Sequence, residues 1–249
     1  MDTVRPVATE ARWWRGPARL EDGWLVLDAE RAEAYHPIEE RDLLYDVAAI
    51  GTPREAVEAV ERYGLLWTRA DGDDPRERFA DWERELNKVR GALNIHRLLY
   101  EARQGSREAV TELGQYRETI ATALGAERES EGGDELRAAA SQLLALAVSS
   151  GLEGVEERVV ADVTLDLGDG QAGAPGRFRL SAQPPHLLGF VYHALAMAVV
   201  GSHPARRCGE CGRVFPLGDK RQQYCTNLCA GRARYHRWAK RKQEADDGG

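Results

Sequence analysis

Apolar positions along this chain recur mainly at helical spacing. Pro53 to Tyr63 is the clearest segment: Ala56, Val57, Val60 and Tyr63 form one face, and Pro53 opens the first turn. Thr52 stands at the N-cap with Glu55 as its capping-box partner, and Gly64 follows the last residue. A second helix is expected from Pro75 to about Arg103, burying Phe79, Trp82, Leu86, Val89, Leu93 and Tyr100. A third, Ser106 to Leu124, is interrupted by Gly114. Asp134 caps a fourth that ends near Gly151, with Leu136, Leu143, Leu144, Leu146 and Ala147 apolar. Leu187 to Val200 is apolar nearly all round. It is too short for the roughly 20 residues that span a bilayer, so it reads as a central core helix and no membrane partner is expected.

Strand spacing is rarer. Trp24 to Leu27 reads as a short strand, and Val159 to Leu167 pairs with Arg177 to Leu180 as a hairpin. Gly168 to Gly173 is a literal G-x-G-x-x-G between them. A dinucleotide fingerprint needs a helix directly after it, and here Ala174-Pro175-Gly176 leads into the second strand, so a hairpin loop explains the glycines. Gly125 to Gly133 reads as a flexible connection. The fold class is therefore α+β. A mainly helical domain with a small β-hairpin spans residues 1–203, with an internal linker at 125–133. A C-terminal module spans 204–242, and an acidic disordered tail spans 243–249.

Composition changes the picture at the C-terminus. All four cysteines fall in the last fifth of the chain, as Cys208-Gly-Glu-Cys211 and Cys225-Thr-Asn-Leu-Cys229. Two close pairs separated by a short stretch are the pattern of a closed tetrahedral Cys₄ site. Zn²⁺ is the expected cofactor and Cys208, Cys211, Cys225 and Cys229 its ligands. Four sulfurs leave no position for water or substrate, so the role is structural. A disulfide framework would need an oxidising compartment. Met1 to Pro6 lacks the basic and apolar regions of a signal peptide, and a cytoplasmic setting is expected.

Within the module, Val214-Phe215 and Gln222 to Tyr224 are expected to form a hairpin about the turn Pro216 to Asp219. The second cysteine pair then opens a helix, capped by Thr226 or Asn227 and running to about Lys242. Knuckle, hairpin and ligand-bearing helix make a treble-clef-like zinc finger. Leu228, Tyr235 and Trp238 share a helix face and are expected to pack on the hairpin or the preceding domain.

The charge of this module is opposite to that of the rest. Residues 204–242 hold eleven lysines and arginines against Glu210 and Asp219, a formal +9, so the remainder of a chain whose total is −7 carries −16. A basic appendage on an acidic body points to an anionic partner: DNA first, an acidic protein surface second.

Arg206-Arg207-Cys208-Gly-Glu-Cys211, Val214-Phe215, Arg221-Gln-Gln-Tyr-Cys225 and Cys229-Ala230-Gly231-Arg232-Ala233-Arg234-Tyr235-His236 resemble the CGNR-type zinc finger. That family comprises bacterial proteins with a helical N-terminal domain and a C-terminal finger, regarded as stress-induced transcriptional regulators. The resemblance covers residues 204–242. Here the naming motif reads Cys229-Ala230-Gly231-Arg232, so its Cys and Arg match while its Gly and Asn do not. Three classes of function follow as expectations: a DNA-binding transcriptional regulator, a scaffold whose finger binds protein, and an enzyme with an unrecognised pocket. The first is preferred, with Arg232, Arg234, Arg237, Lys240 and Arg241 as phosphate contacts and Arg206, Arg207 and Arg221 outside them. The chain has no P-loop, H-E-x-x-H or G-x-S-x-G, its histidines are scattered, and no catalytic residues are expected.

Overall fold

The computed structural model describes residues 12–37, 40, 42–70, 74–124, 133–153, 155–162, 177–201, 203–219 and 221–247. Helix and strand are mixed, and helix predominates, as expected of an α+β chain. The chain divides into two compact units. One comprises Met1–Leu44, Ile50–Arg84 and Ser149–Ala194, the other Tyr45–Ala49, Glu85–Val148 and Leu195–Gly249.

In the first unit, β1 (Trp13–Arg15) pairs antiparallel with β4 (Glu33–Tyr35), and β2 (Ala18–Glu21), β3 (Trp24–Leu27) and β5 (Arg76–Arg78) form a second sheet with β3 central. Asp22 and Gly23, at φ 49° and 81°, join β2 to β3 with Glu21 opposite Trp24. Two positive φ values in a two-residue loop match the twist of the paired strands, which is why Asp-Gly closes the hairpin. Helix α2 (Pro53–Tyr63) has the expected ends. Glu55 N–H donates to Thr52 Oγ1 at 3.2 Å, while Glu55 Oε2 accepts from Gly51 N–H at 2.8 Å. Gly64 follows at φ 84°. The indole N–H of buried Trp13 donates to the Leu65 carbonyl, and the Tyr35 hydroxyl donates to the Tyr63 carbonyl, both at 2.8 Å.

The second expected helix is shorter than its pattern. Residues 76–78 form β5, and α3 begins only at Phe79 and ends at Arg103. The cause is non-local. Glu77 sits opposite Leu25, and its carboxylate accepts N–H bonds from Leu66 at 2.9 Å and from Trp67, Thr68 and the Trp82 indole at 2.6 Å. Four donors on one side chain hold this segment extended against its local helical preference. The strands β6 (Glu156–Asp162) and β7 (Arg177–Gln183) pair antiparallel from Glu156 opposite Gln183 to Asp162 opposite Arg177. The expected hairpin is thus present and starts three residues earlier. Residues 163–176, with the G-x-G-x-x-G, lie outside the described residues, as do 125–132 of the expected linker.

In the second unit, the third expected helix is two: α4 (Arg107–Gln115) and α5 (Arg117–Leu124). The break falls at Tyr116 rather than Gly114. Tyr116 N–H turns back to the Leu113 carbonyl at 3.0 Å, and its hydroxyl accepts from Asn94 Nδ2 at 2.8 Å. Ser106 caps α4 through Ala109 N–H at 3.2 Å. Buried Arg97 donates to Glu101 and Glu112, each at 2.7 Å, and to Asn94 Oδ1 at 3.0 Å. Helices α1 (Leu43–Ala49), α3, α6 (Gly133–Gly151) and α7 (Leu187–Val200) each contribute residues to both units. On α6, Leu136 and Leu144 are buried, while Leu146, expected on the apolar face, is exposed. In α7, His193 is buried.

Residues 204–242, expected as a module of their own, lie in the same compact unit as the helices of Glu85–Val148. Helix α8 runs from Asn227 to Asp247, through five of the seven residues 243–249 expected as a tail. Among the described residues no helix is long and apolar enough to cross a membrane.

Candidate metal centre and its basic helix

The first cysteine pair sits at the end of a short hairpin. β8 (Ala205–Arg207) pairs with β9 (Val214–Pro216), Arg206 opposite Phe215. Between them Cys208 N–H donates to the Arg213 carbonyl at 2.8 Å, and Gly212 N–H returns to the Cys208 carbonyl at 3.0 Å. Gly212 has φ 73°, a left-handed conformation that glycine adopts without a Cβ penalty. This corrects the expected pairing of Val214-Phe215 with Gln222 to Tyr224. The hairpin brackets the first cysteine pair instead of bridging the two pairs. Residues 222–224 run without strand pairing and reach the knuckle through Gly209 N–H to the Gln223 carbonyl, 3.1 Å.

The second pair opens α8, as expected. Thr226 Oγ1 accepts from Cys229 N–H at 3.2 Å and the Thr226 carbonyl from Ala230 N–H at 3.1 Å, a cap on the first turn. Cys208, Phe215 and Cys229 are buried together, with Tyr224 and Cys225 packed against them. A core this small stabilises little by burial alone, and such modules depend on a further constraint.

The four Sγ atoms all lie within 4.8 Å of one another. Cys225 Sγ is 3.6 Å from both Cys211 Sγ and Cys229 Sγ. Four sulfurs on a tetrahedral ion with metal–sulfur bonds of about 2.3 Å are about 3.8 Å apart, so the spacing fits one ion. The electrostatics fit as well. Burial opposes ionisation of Cys208, but the N–H groups of Cys211, Cys225 and Glu210 outweigh it and lower its pKa to about 6. Burial, then the adjoining thiols, push Cys225 up to about 12, and burial raises Cys211. One thiolate forms readily and its neighbours resist a second negative charge, which is the setting a bound cation reverses. The N-terminus of α8 adds positive potential at Cys229. The arrangement is closed and offers no open coordination position. His236, a conceivable substitute ligand, is not in the cluster. Its Nε2 lies 3.3 Å from Glu210.

All five residues expected to contact nucleic acid, Arg232, Arg234, Arg237, Lys240 and Arg241, are exposed along α8. Arg234, Arg237 and Arg241 share one face. Arg234 Nε bonds the Ala230 carbonyl at 3.2 Å, and Lys240 lies 3.9 Å from Glu244. The outer arginines differ in their engagement: Arg206 donates to the Gln222 carbonyl at 2.8 Å and Arg207 to that of Gly212 at 3.2 Å. The expected packing of Leu228, Tyr235 and Trp238 is not found. They are 65%, 63% and 52% exposed. The two rings meet at 5.9 Å between centroids with their planes tilted by 37°, and Lys242 Nζ lies 5.8 Å above Trp238. Of this helix it is Cys229 and Ala233 that are buried, because its first turns alone meet the small finger core.

The likeness to the CGNR-type finger therefore rests on residues 204–242 by themselves. No protein-family model, no curated protein and no solved structure matches this chain.

Proposed function

We propose that this protein is a zinc-dependent DNA-binding regulator whose treble-clef-like finger presents α8 to duplex phosphates. One observation carries the reading. A helix of 21 residues starts at the cysteine cluster and exposes Arg232, Arg234, Arg237, Lys240, Arg241 and Lys242 beside unburied Tyr235 and Trp238. Cations at this density attract a polyanion, and exposed aromatics flanked by arginine are surfaces that partners cover.

Cys208, Cys211, Cys225 and Cys229 would hold the zinc, which links the knuckle to the first turn of α8 when bound. The chain's own residues do the rest. Thr226 caps the helix, Phe215 supports its base, and the arginines reach outward. Four thiols in one cluster suit a reducing compartment, in keeping with the cytoplasm. Nothing in the cluster is catalytic, and the chain reads as a binding protein rather than an enzyme.

Titration of the zinc-loaded protein with a duplex at two salt concentrations tests the reading. Affinity should fall steeply with salt and weaken on every sequence in Arg237→Ala. No binding at roughly 50 mM salt, with capture of acidic peptides intact, would replace DNA with an acidic protein surface as the partner.

A further inference from the structure

Trp238 is flanked on α8 by cations and a second ring. Arg234 and Tyr235 precede it by one turn, and Arg241 and Lys242 follow it by one turn, so their side chains adjoin it on the helix surface. Successive helical residues turn by about 100°, so Tyr235 lies about 200° round the axis from buried Ala233 and faces away from the finger core. Arg234, Arg237, Trp238, Lys240 and Arg241 border one shallow hollow together with Glu244, a carboxylate 3.9 Å from Lys240. The indole beside these guanidinium groups is half exposed.

The size and the neighbours of this patch select its occupant. Two aromatic side chains bury at most about 500 Å², less than the roughly 800 Å² per partner of a stable protein interface. The apolar face is also broken. Gly231 stands one turn before Tyr235 and Lys242 one turn after Trp238, so the repeated anchors that an amphipathic partner helix reads are missing. A planar base over the indole, with its phosphates on the arginines beside it, needs no larger area. Paired bases are stacked on one another and offer only their edges, so an aromatic face on the protein meets a base plane where a strand is unpaired.

We propose that Trp238 stacks on an unpaired base, with Arg234 and Arg241 on the adjoining phosphates, so that the DNA preferred by α8 carries an unpaired stretch. This rests on the reading of α8 as a DNA-binding helix and narrows its ligand to DNA with unpaired bases. The arginines supply attraction to every DNA, and the indole supplies the preference between forms.

The full-length zinc-loaded chain is titrated, at one salt concentration, with a fully paired duplex and with the same duplex carrying a central unpaired bubble. The bubble should bind at least about fivefold more tightly, the smallest gain expected of one stacked base. Trp238→Leu keeps an apolar side chain without an aromatic face. It should abolish that preference and leave duplex affinity within about twofold, while Trp238→Phe should keep most of the preference. Zinc content and thermal midpoint check that both variants fold, as expected at a residue this exposed. Equal affinity of the parent for bubble and duplex overturns the proposal and leaves the reading of α8 intact. So does a preference that survives in Trp238→Leu. No binding of either form overturns that reading, and the proposal with it. A single-stranded RNA bound more tightly than single-stranded DNA of the same sequence would assign the patch to RNA and overturn the proposal equally.

Discussion

His96 on α3 places Nε2 3.0 Å from the carbonyl oxygen of His203, the residue before the finger begins. The contact requires the proton on Nε2. Burial pushes the His96 pKa below its ordinary value; the bond to the His203 carbonyl opposes this only in part, and Arg103 adds to it. The unfolded chain therefore takes up a proton that the folded one resists. The stability tied to His96 is whole above about pH 6.5, and it is lost as pH falls from there towards the depressed folded value. His186, also lowered by burial, acts in the same direction.

Urea unfolding between pH 7.5 and 5.5 should accordingly show a decline in stability that is shallower in His96→Gln. Equal slopes for the two proteins, at equal zinc content, would remove His96 from the account.

Glu77 gives a second prediction. Burial raises its pKa despite the four N–H groups on its carboxylate. Glu77→Ala leaves the N–H groups of Leu66, Trp67 and Thr68 and the Trp82 indole without their acceptor. Each orphaned donor costs about 1–3 kcal/mol, so a loss of at least about 3 kcal/mol is expected, and less in Glu77→Gln, which keeps one carbonyl oxygen. A change below about 1 kcal/mol in chemical denaturation would contradict that role.

The same residue shows where sequence reading stops. Features set by neighbours in the chain were legible. Thr52, Glu55 and Gly64 mark the ends of α2, and Cys208, Cys211, Cys225 and Cys229 form one cluster. Features set by distant partners were not. Arg76–Arg78 carries a helical pattern, but β3 and the 66–68 backbone hold it as a strand. Gln222 to Tyr224 resembles a strand, yet β9 already has β8. The Asp22-Gly23 turn carries a local signal, two residues that accept positive φ between apolar strands, while the Arg97 network spans 15 residues to Glu112 and has no local signature.

Glycine conformation supplies a matched pair. A Cβ at Gly64, which sits at φ 84°, would fall 1.9 Å from the Trp14 carbonyl oxygen. Gly64→Ala should cost more than about 2 kcal/mol, from backbone strain and displacement of β1. Gly114, inside α4, meets nothing within 4 Å of an added Cβ. Gly114→Ala should stabilise by about 0.5–1 kcal/mol through helix propensity. Thermal midpoints moving in the same direction would show that the two environments are misassigned.

Metal content tests the cysteine cluster directly. One zinc per chain is expected by elemental analysis, and loading should release protons because Cys211 and Cys225 carry raised pKa values. Cys225→Ser should lose the ion and expose amides of β8, β9 and the first turns of α8 to hydrogen exchange, since structural zinc contributes on the order of 10 kcal/mol to such modules. Retained zinc with unchanged protection would disprove the four-cysteine assignment.

On the proposed reading, α8 meets duplex DNA through its phosphates. If about four phosphates are engaged, log affinity for a duplex should fall against log salt with a slope of roughly −3.6. Arg234, Arg237 and Arg241 share one exposed face, so each Arg→Ala change should lower the slope by about one and weaken all sequences alike. Trp238 lies on the same side, four residues after Arg234, and is 52% exposed. Trp238→Ala should therefore leave folding stability within about 0.5 kcal/mol while weakening the complex. If the ring stacks on bases, the loss is larger on single strands than on duplex and does not alter the salt slope, because stacking releases no counterions. A Trp238→Ala protein that binds both forms as tightly as the parent would confine recognition to the arginine face. Affinity that is flat in salt for the parent would exclude phosphate binding by α8 altogether.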